Sequence, residues 1–150
     1  MIGLETAIKR AFLNEEVGPR LFNRTTTTLT TAGALTYTAA QILTGRINRD
    51  PNGAGRTDTF PTAALLVAAL RAKASEYGVD LPRYFVLDLI IQNDADAAET
   101  ITIAAGTGGT IVAGHTTTVA QNASRRYEIT VDSLLGSEAY SVRNVGGFTT

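Results

Sequence analysis

The chain of 150 residues contains no cysteine. Disulfide scaffolds, thiolate zinc sites and cysteine nucleophiles are therefore excluded, and the lack fits assembly inside a reducing cell interior. Histidine occurs once, at His115, so no multi-histidine metal site or histidine pair exists. Lysine is nearly missing: apart from Lys9 and Lys73, every basic residue is arginine. Charged residues make up only 18% of the chain, against about 25% in ordinary globular proteins. A formal net charge of -1 and a pI near 5.8 argue against a general nucleic-acid or polyanion binder. No apolar run approaches the roughly 18–20 residues that a membrane-spanning helix needs. Acidic residues in MIGLETAIKRAFLNEEVG stand where a signal peptide carries its apolar core, so no secretion signal is expected.

Motifs of chemistry are also lacking. There is no GxxxxGK[ST], and Gly53-Ala54-Gly55 has no third glycine to complete a dinucleotide fingerprint. No GxSxG elbow accompanies His115, and the serines fall in ordinary turns. Asn93, Asp94, Asp96 and Glu99 offer oxygen ligands for calcium, but without the glycine and closing glutamate of an EF-hand loop. They read as a solvated hairpin turn. Gly106-Thr107-Gly108-Gly109 precedes a strand and reads as a flexible hairpin turn too. On these grounds no enzyme activity, no cofactor and no metal is expected.

What the chain does have is threonine, roughly one residue in seven. Threonine is a strand former whose hydroxyl tolerates water or a partner surface. Arginine in place of lysine suits planar, partly buried pairing and is enriched at interfaces; biased codon usage is the plain alternative.

The organising stretch is Asp50–Gly78. It opens as a Gly/Pro/Asn loop, offers Asp58 or Thr59 as a helix cap, sets Pro61 in the first helical turn, and ends at Gly78. Ala63 to Leu70 is apolar on every side, so the helix over about 60–77 is expected to be buried on more than one face. Before it, Leu4, Ile8, Ala11 and Phe12 recur at the spacing of one helical stripe. This short amphipathic arm, within residues 1–24, is expected to dock either on its own domain or on a neighbouring subunit.

Residues 25–150 read as one β-rich domain with the helix inserted. Thr25 to Tyr37 suggests one or two strands bent at Gly33, with a polar linker as the alternative for its first residues. Thr38 to Thr44 reads as a capped helical turn, and Arg46–Arg49 as a short strand. Tyr84 to Gln92 is the strongest strand; Phe85, Leu87, Leu89 and Ile91 share one face, and near-complete cover on both faces is expected. Short alternating segments follow at Glu99–Ala105, Thr110–Ala113, Thr116–Ala120, Arg125–Asp132 and Ala139–Val145. No helix separates these later strands. The pattern predicts a mainly β fold, an antiparallel β-sandwich of jelly-roll-like type.

The segments RTDTFPTAALLVAAL, YFVLDLIIQN, ETITIAAGTGGTIVAG and RRYEITVD, in that order, resemble small structural proteins of viruses: the minor capsid, decoration or head-fibre proteins of marine phages and large DNA viruses. Arg56, Thr57, Asp58, Pro61, Thr62, Ala63 and Ala64 match the segment that precedes a buried helix in that group. Thr100 to Gly114 matches its glycine-rich hairpin. The likeness covers about the last two-thirds of the chain. It implies a non-enzymatic virion protein, assembled in the host interior, that binds a major capsid protein or other virion proteins and occurs as a homo-oligomer, with a trimer favoured. Expected contact residues are Leu4, Ile8 and Phe12 on the arm, Arg46, Arg49, Arg56 and Asp58 around the loop, and Arg125 and Arg126 on a late strand. A trimeric adhesin or fibre knob binding a receptor or glycan is the alternative.

Overall fold

Local chemistry places the elements in chain order. The computed structural model describes residues 25–78, 80–81, 85–134 and 136–149; the arm with Leu4, Ile8 and Phe12 lies outside them. The threonine-rich run Thr26–Leu29 forms β1. A capping box follows: the Thr38 side chain accepts from the Gln41 backbone N–H, the Gln41 side chain accepts from that of Thr38, and α1 spans Ala39–Leu43. Strands β2 (Arg46–Arg49) and β3 (Arg56–Thr59) flank the glycine loop. Helix α2 runs from Ala63 to Glu76. Its cap is Thr62, whose hydroxyl accepts from the Leu65 N–H, and Pro61 stands just outside the helix with its φ already restricted. Asp58 and Thr59, the expected caps, belong to β3 instead. At the other end Gly78 takes φ 64°, a left-handed stop that a side chain would resist. The remaining strands are β4 (Phe85–Asn93), β5 (Ile101–Ala104), β6 (Gly109–Ile111), β7 (Thr118–Val119), β8 (Ala123–Ser133) and β9 (Ala139–Thr149).

Pairing is mixed, in contrast with the all-antiparallel, jelly-roll-like arrangement expected. The large sheet has the order β1-β2-β4-β8-β9-β6, and a small one has the order β3-β5-β7. Strands β1, β2 and β4 are parallel, with Thr27 opposite Ile47 and Ile47 opposite Ile91. Parallel neighbours need a crossover, and both are helical: α1 lies between β1 and β2, and β3 with α2 between β2 and β4. The half after β4 is antiparallel through β4, β8 and β9. The supposed hairpins do not close. Strand β5 leaves for the small sheet, where it runs parallel to β3, and β6 returns to the large sheet as an edge strand parallel to β9.

One apolar cluster joins these parts. Ile47, Leu87, Leu89, Ile91, Tyr127, Ile129, Val131, Tyr140 and Val142 come from one face of the large sheet. Ile42, Leu43, Leu66, Val67 and Leu70 come from the helices, and Ile101, Ile103 and Val119 from the small sheet. Burial of each large side chain is worth about 1.5–3 kcal/mol. Among the described residues the helix is covered on one face only. Ala63, Leu66, Val67, Leu70 and Ala74 are covered, whereas Leu65 is 61% exposed. Strand β4 is likewise one-sided: Leu87, Leu89 and Ile91 are buried, and Val86 is 51% exposed. Both departures have one cause. The helices and the small sheet all lie against the same face of the large sheet, so its other face has no covering layer among the described residues.

Candidate functional site

Arg49 and Asp58 form a buried pair at the centre of the N-terminal half. Alternation in β2 turns Ile47 and Arg49 inward, and in β3 it turns Asp58 inward. Arg49 Nε lies 2.8 Å from Asp58 Oδ2, and both side chains are fully buried. Two charges removed from water need every donor and acceptor engaged, and here nearly all are. Arg49 Nη1 donates to the Thr31 carbonyl at 2.8 Å, and Nη2 donates to that of Gly33 at 2.6 Å. Asp58 Oδ1 accepts from the Leu35 N–H at 2.8 Å, and Oδ2 accepts from the Tyr37 hydroxyl at 2.8 Å. Burial raises the Tyr37 pKa far above the usual phenol value, and the neighbouring Asp58 carboxylate raises it further. The node binds the Thr30–Tyr37 connection to the sheets. Arg49 and Asp58 were expected to grip a neighbour; enclosed here, they present nothing to one.

Other expected contact residues separate in space. Arg46 is exposed on β2 and donates to Gln92 Oε1 and, at 3.1 Å, to Asn48 Oδ1. Arg126 is exposed on β8 and pairs with Asp88 at 2.9 Å. Arg125 points the other way; its stem occupies the space a Cβ at Gly147 would need, and its Nε is buried without a partner among the described residues. Arg56 is half-buried, and its Nε also lacks a partner among the described residues. Of the expected set, Arg46 and Arg126 share the open face of the large sheet, with Arg46 and Arg126 both opposite Ile90.

The glycine-rich turn proved to be a brace. Gly106 N–H donates to the Tyr140 hydroxyl, which donates to the Pro61 carbonyl, both at 2.9 Å. A Cβ at Gly106 would come closer than 3.0 Å to the Phe60 and Pro61 carbonyl oxygens, and one at Gly109 would strike the Tyr140 ring. The Thr107 carbonyl accepts from the Ala63 N–H at 2.8 Å. Two first-turn donors of α2 that an anion would use are thereby engaged by Thr107 and Thr62. Burial also raises the Tyr140 pKa, although the Gly106 hydrogen bond opposes it.

Asn93 is a brace as well. Its side-chain amide donates to the Glu99 carbonyl at 2.9 Å and the Val119 carbonyl at 3.0 Å, tying the large sheet to the small one. Glu99 is buried, its Oε1 accepting from the Gly53 N–H at 2.6 Å. Asp94 and Asp96 instead face solvent. The four oxygen-bearing residues therefore do not converge, and among the described residues no three His, Cys, Asp or Glu side chains gather as a metal site would require. His115 Nδ1 lies 2.9 Å from the Asn144 carbonyl oxygen, within a loop-to-strand contact.

The open face of the large sheet is the most extensive feature. Alternation places Thr26 and Thr28 on β1, Arg46 and Asn48 on β2, and Val86, Asp88, Ile90 and Gln92 on β4. Arg126, Glu128, Thr130 and Asp132 continue it on β8, with Ser141 and Arg143 on β9. Arg126 pairs across strands with Asp88, and Glu128 stands opposite both Asp88 and Arg143. Phe148, 70% exposed, sits opposite Ser124 at the end of this face. Sequence reasoning named Arg46 and Arg126 but missed Val86, Arg143 and Phe148. Val86 alternates with the buried residues of β4, which was the available signal.

Fold and surface together define a mainly β domain with mixed sheets, one helix-covered face and one open face. Comparison with models of protein families, with curated proteins and with solved structures finds no match. Among the described residues no helix is long and apolar enough to cross a membrane.

Proposed function

We propose that this chain is a non-enzymatic assembly protein of sandwich type that binds other protein surfaces through the open face of its large sheet. In its specific form it is a minor capsid or decoration protein, seated in many copies on a major capsid protein and stabilising the shell. The open face is the observation that carries the reading. Six strands about 4.8 Å apart, three of them spanning roughly 30 Å, offer on the order of 700 Å². A specific interface takes about 800 Å² from each partner. Arg46, Arg126 and Arg143 alternate there with Asp88, Glu128 and Asp132. Such balanced charge suits a protein surface better than a polyanion. The sandwich part rests on both sheets feeding one apolar cluster, and the virion part rests on the sequence resemblance.

Docking would bury Val86 and Phe148 while Arg126 and Asp88 set the register. The test looks for a major capsid gene next to the gene for this chain and then measures binding of the purified chain to empty shells of its product. Binding should be saturable, and Arg126→Glu with Phe148→Asp should weaken it at least tenfold while the fold is retained. Equal binding by that variant, or a gene neighbourhood without head genes, would overturn the proposal. A free trimer that ignores shells but binds glycans would instead support the fibre-knob alternative.

A further inference from the structure

We infer that the groove between α1 and α2 is the docking site for residues 2–13 of this same chain. The groove holds about 300 Å³ and is lined by Thr25, Ala40, Leu43, Thr44, Ala69, Ala72, Lys73 and Glu76. Ala40, Ala69 and Ala72 line it beside buried Leu43, and such small side chains allow a helix axis to approach closely. Its polar rim is already neutralised, since Lys73 and Glu76 pair at 2.8 Å. Leu65 extends the stripe of Ala69 and Ala72 by one turn and is 61% exposed, beside exposed Ala64 and Ala68. A helix apolar on all sides is normally covered on more than one of them, yet the described residues cover only one.

The occupant follows from where the chain enters. Thr25, the first described residue, is itself part of the groove wall. The residues before it carry Leu4, Ile8, Ala11 and Phe12 at the spacing by which an amphipathic helix fills an apolar groove. The connector between Leu13 and Thr25 reaches at most roughly 36–43 Å. Helix α2 is only about 21 Å long. The stripe therefore reaches every part of the groove without leaving its own molecule. Leu4, Ile8 and Phe12 then close the domain's own core, and a partner meets the open sheet face instead.

Hydrogen exchange of the full chain tests this without any partner protein. In the wild type, amides of Ala69–Glu76 should exchange several-fold more slowly than in Ile8→Asp/Phe12→Asp, while β4 and β8 amides stay unchanged. Ala72→Glu, which blocks the groove from the other side, should give the same acceleration, and combining all three substitutions should add nothing. Equal exchange in wild type and Ile8→Asp/Phe12→Asp would overturn the inference. Protection that disappears on dilution would also overturn it, because the occupant would then belong to a second copy.

Discussion

Two Arg–Asp pairs of nearly equal length lie in opposite regions of the molecule. Arg49–Asp58 measures 2.8 Å and is fully enclosed, whereas Arg126–Asp88 measures 2.9 Å with side chains 52% and 37% exposed. Water decides the difference. The exposed pair is screened and gives up little when broken. The buried pair gains little over an apolar replacement, yet removing one partner strands a charge. Its added value is positional, because the guanidinium and carboxylate hold the backbone at Thr31, Gly33 and Leu35. One pair specifies the fold, and the other is free to be read by a partner.

The largest effect should come from Asp58→Ala, which leaves Arg49 buried without its counter-charge. A loss of about 3–5 kcal/mol is expected in denaturant unfolding, and a loss under 1 kcal/mol would place the node outside the cooperative core. Gly106→Val should come next, at about 2–4 kcal/mol by analogy with overpacking and backbone strain, because its side chain meets the Phe60 and Pro61 carbonyls. Tyr37→Phe removes one hydrogen bond to Asp58 and should cost about 1–1.5 kcal/mol near neutral pH.

Tyr37 also carries a pH signature. Its folded pKa lies above the unfolded phenol value of about 10. The stabilisation is therefore fully present below pH ~10 and is lost as pH rises from there toward the folded pKa. Tyr127, raised by its own burial, and Tyr140 act in the same direction. Melting temperatures of the wild type should fall steeply above pH ~10, and Tyr37→Phe should flatten part of that fall. Identical slopes would remove Tyr37 from the account. At the small end, Arg126→Ala should change stability by under about 1 kcal/mol, and that change should shrink further in 1 M salt. A loss comparable to that of Asp58→Ala would abolish the distinction between the pairs.

Several elements were legible because their causes are local. Thr38 with Gln41 announces α1, Gly78 marks the end of α2 although its cap was sought at Asp58 or Thr59 rather than Thr62, and alternation in Tyr84–Gln92 and Arg125–Asp132 announces β4 and β8. The candidate site was less so. Arg49, Arg56, Asp58, Arg125 and Arg126 look alike in composition, and nothing local separates Arg49, sealed against Asp58, from Arg126 on an open strand. The exposure of Leu65 was equally out of reach, since an apolar residue inside an apolar run signals burial.

The sequence by itself determined the periods and the stops: where a strand alternates, where a helix is capped, where glycine must turn the chain. These depend on neighbours within about four residues. Strand partners and their direction were decided only by the tertiary structure. A five-residue α1 sufficed to make β1 and β2 parallel, and β6 crossed to β9 instead of closing a hairpin on β5. The physical reason is that strand pairing and charge burial are set by residues far apart in the chain. Tyr140 reaches Pro61 and Arg126 reaches Asp88 only after packing has brought them together.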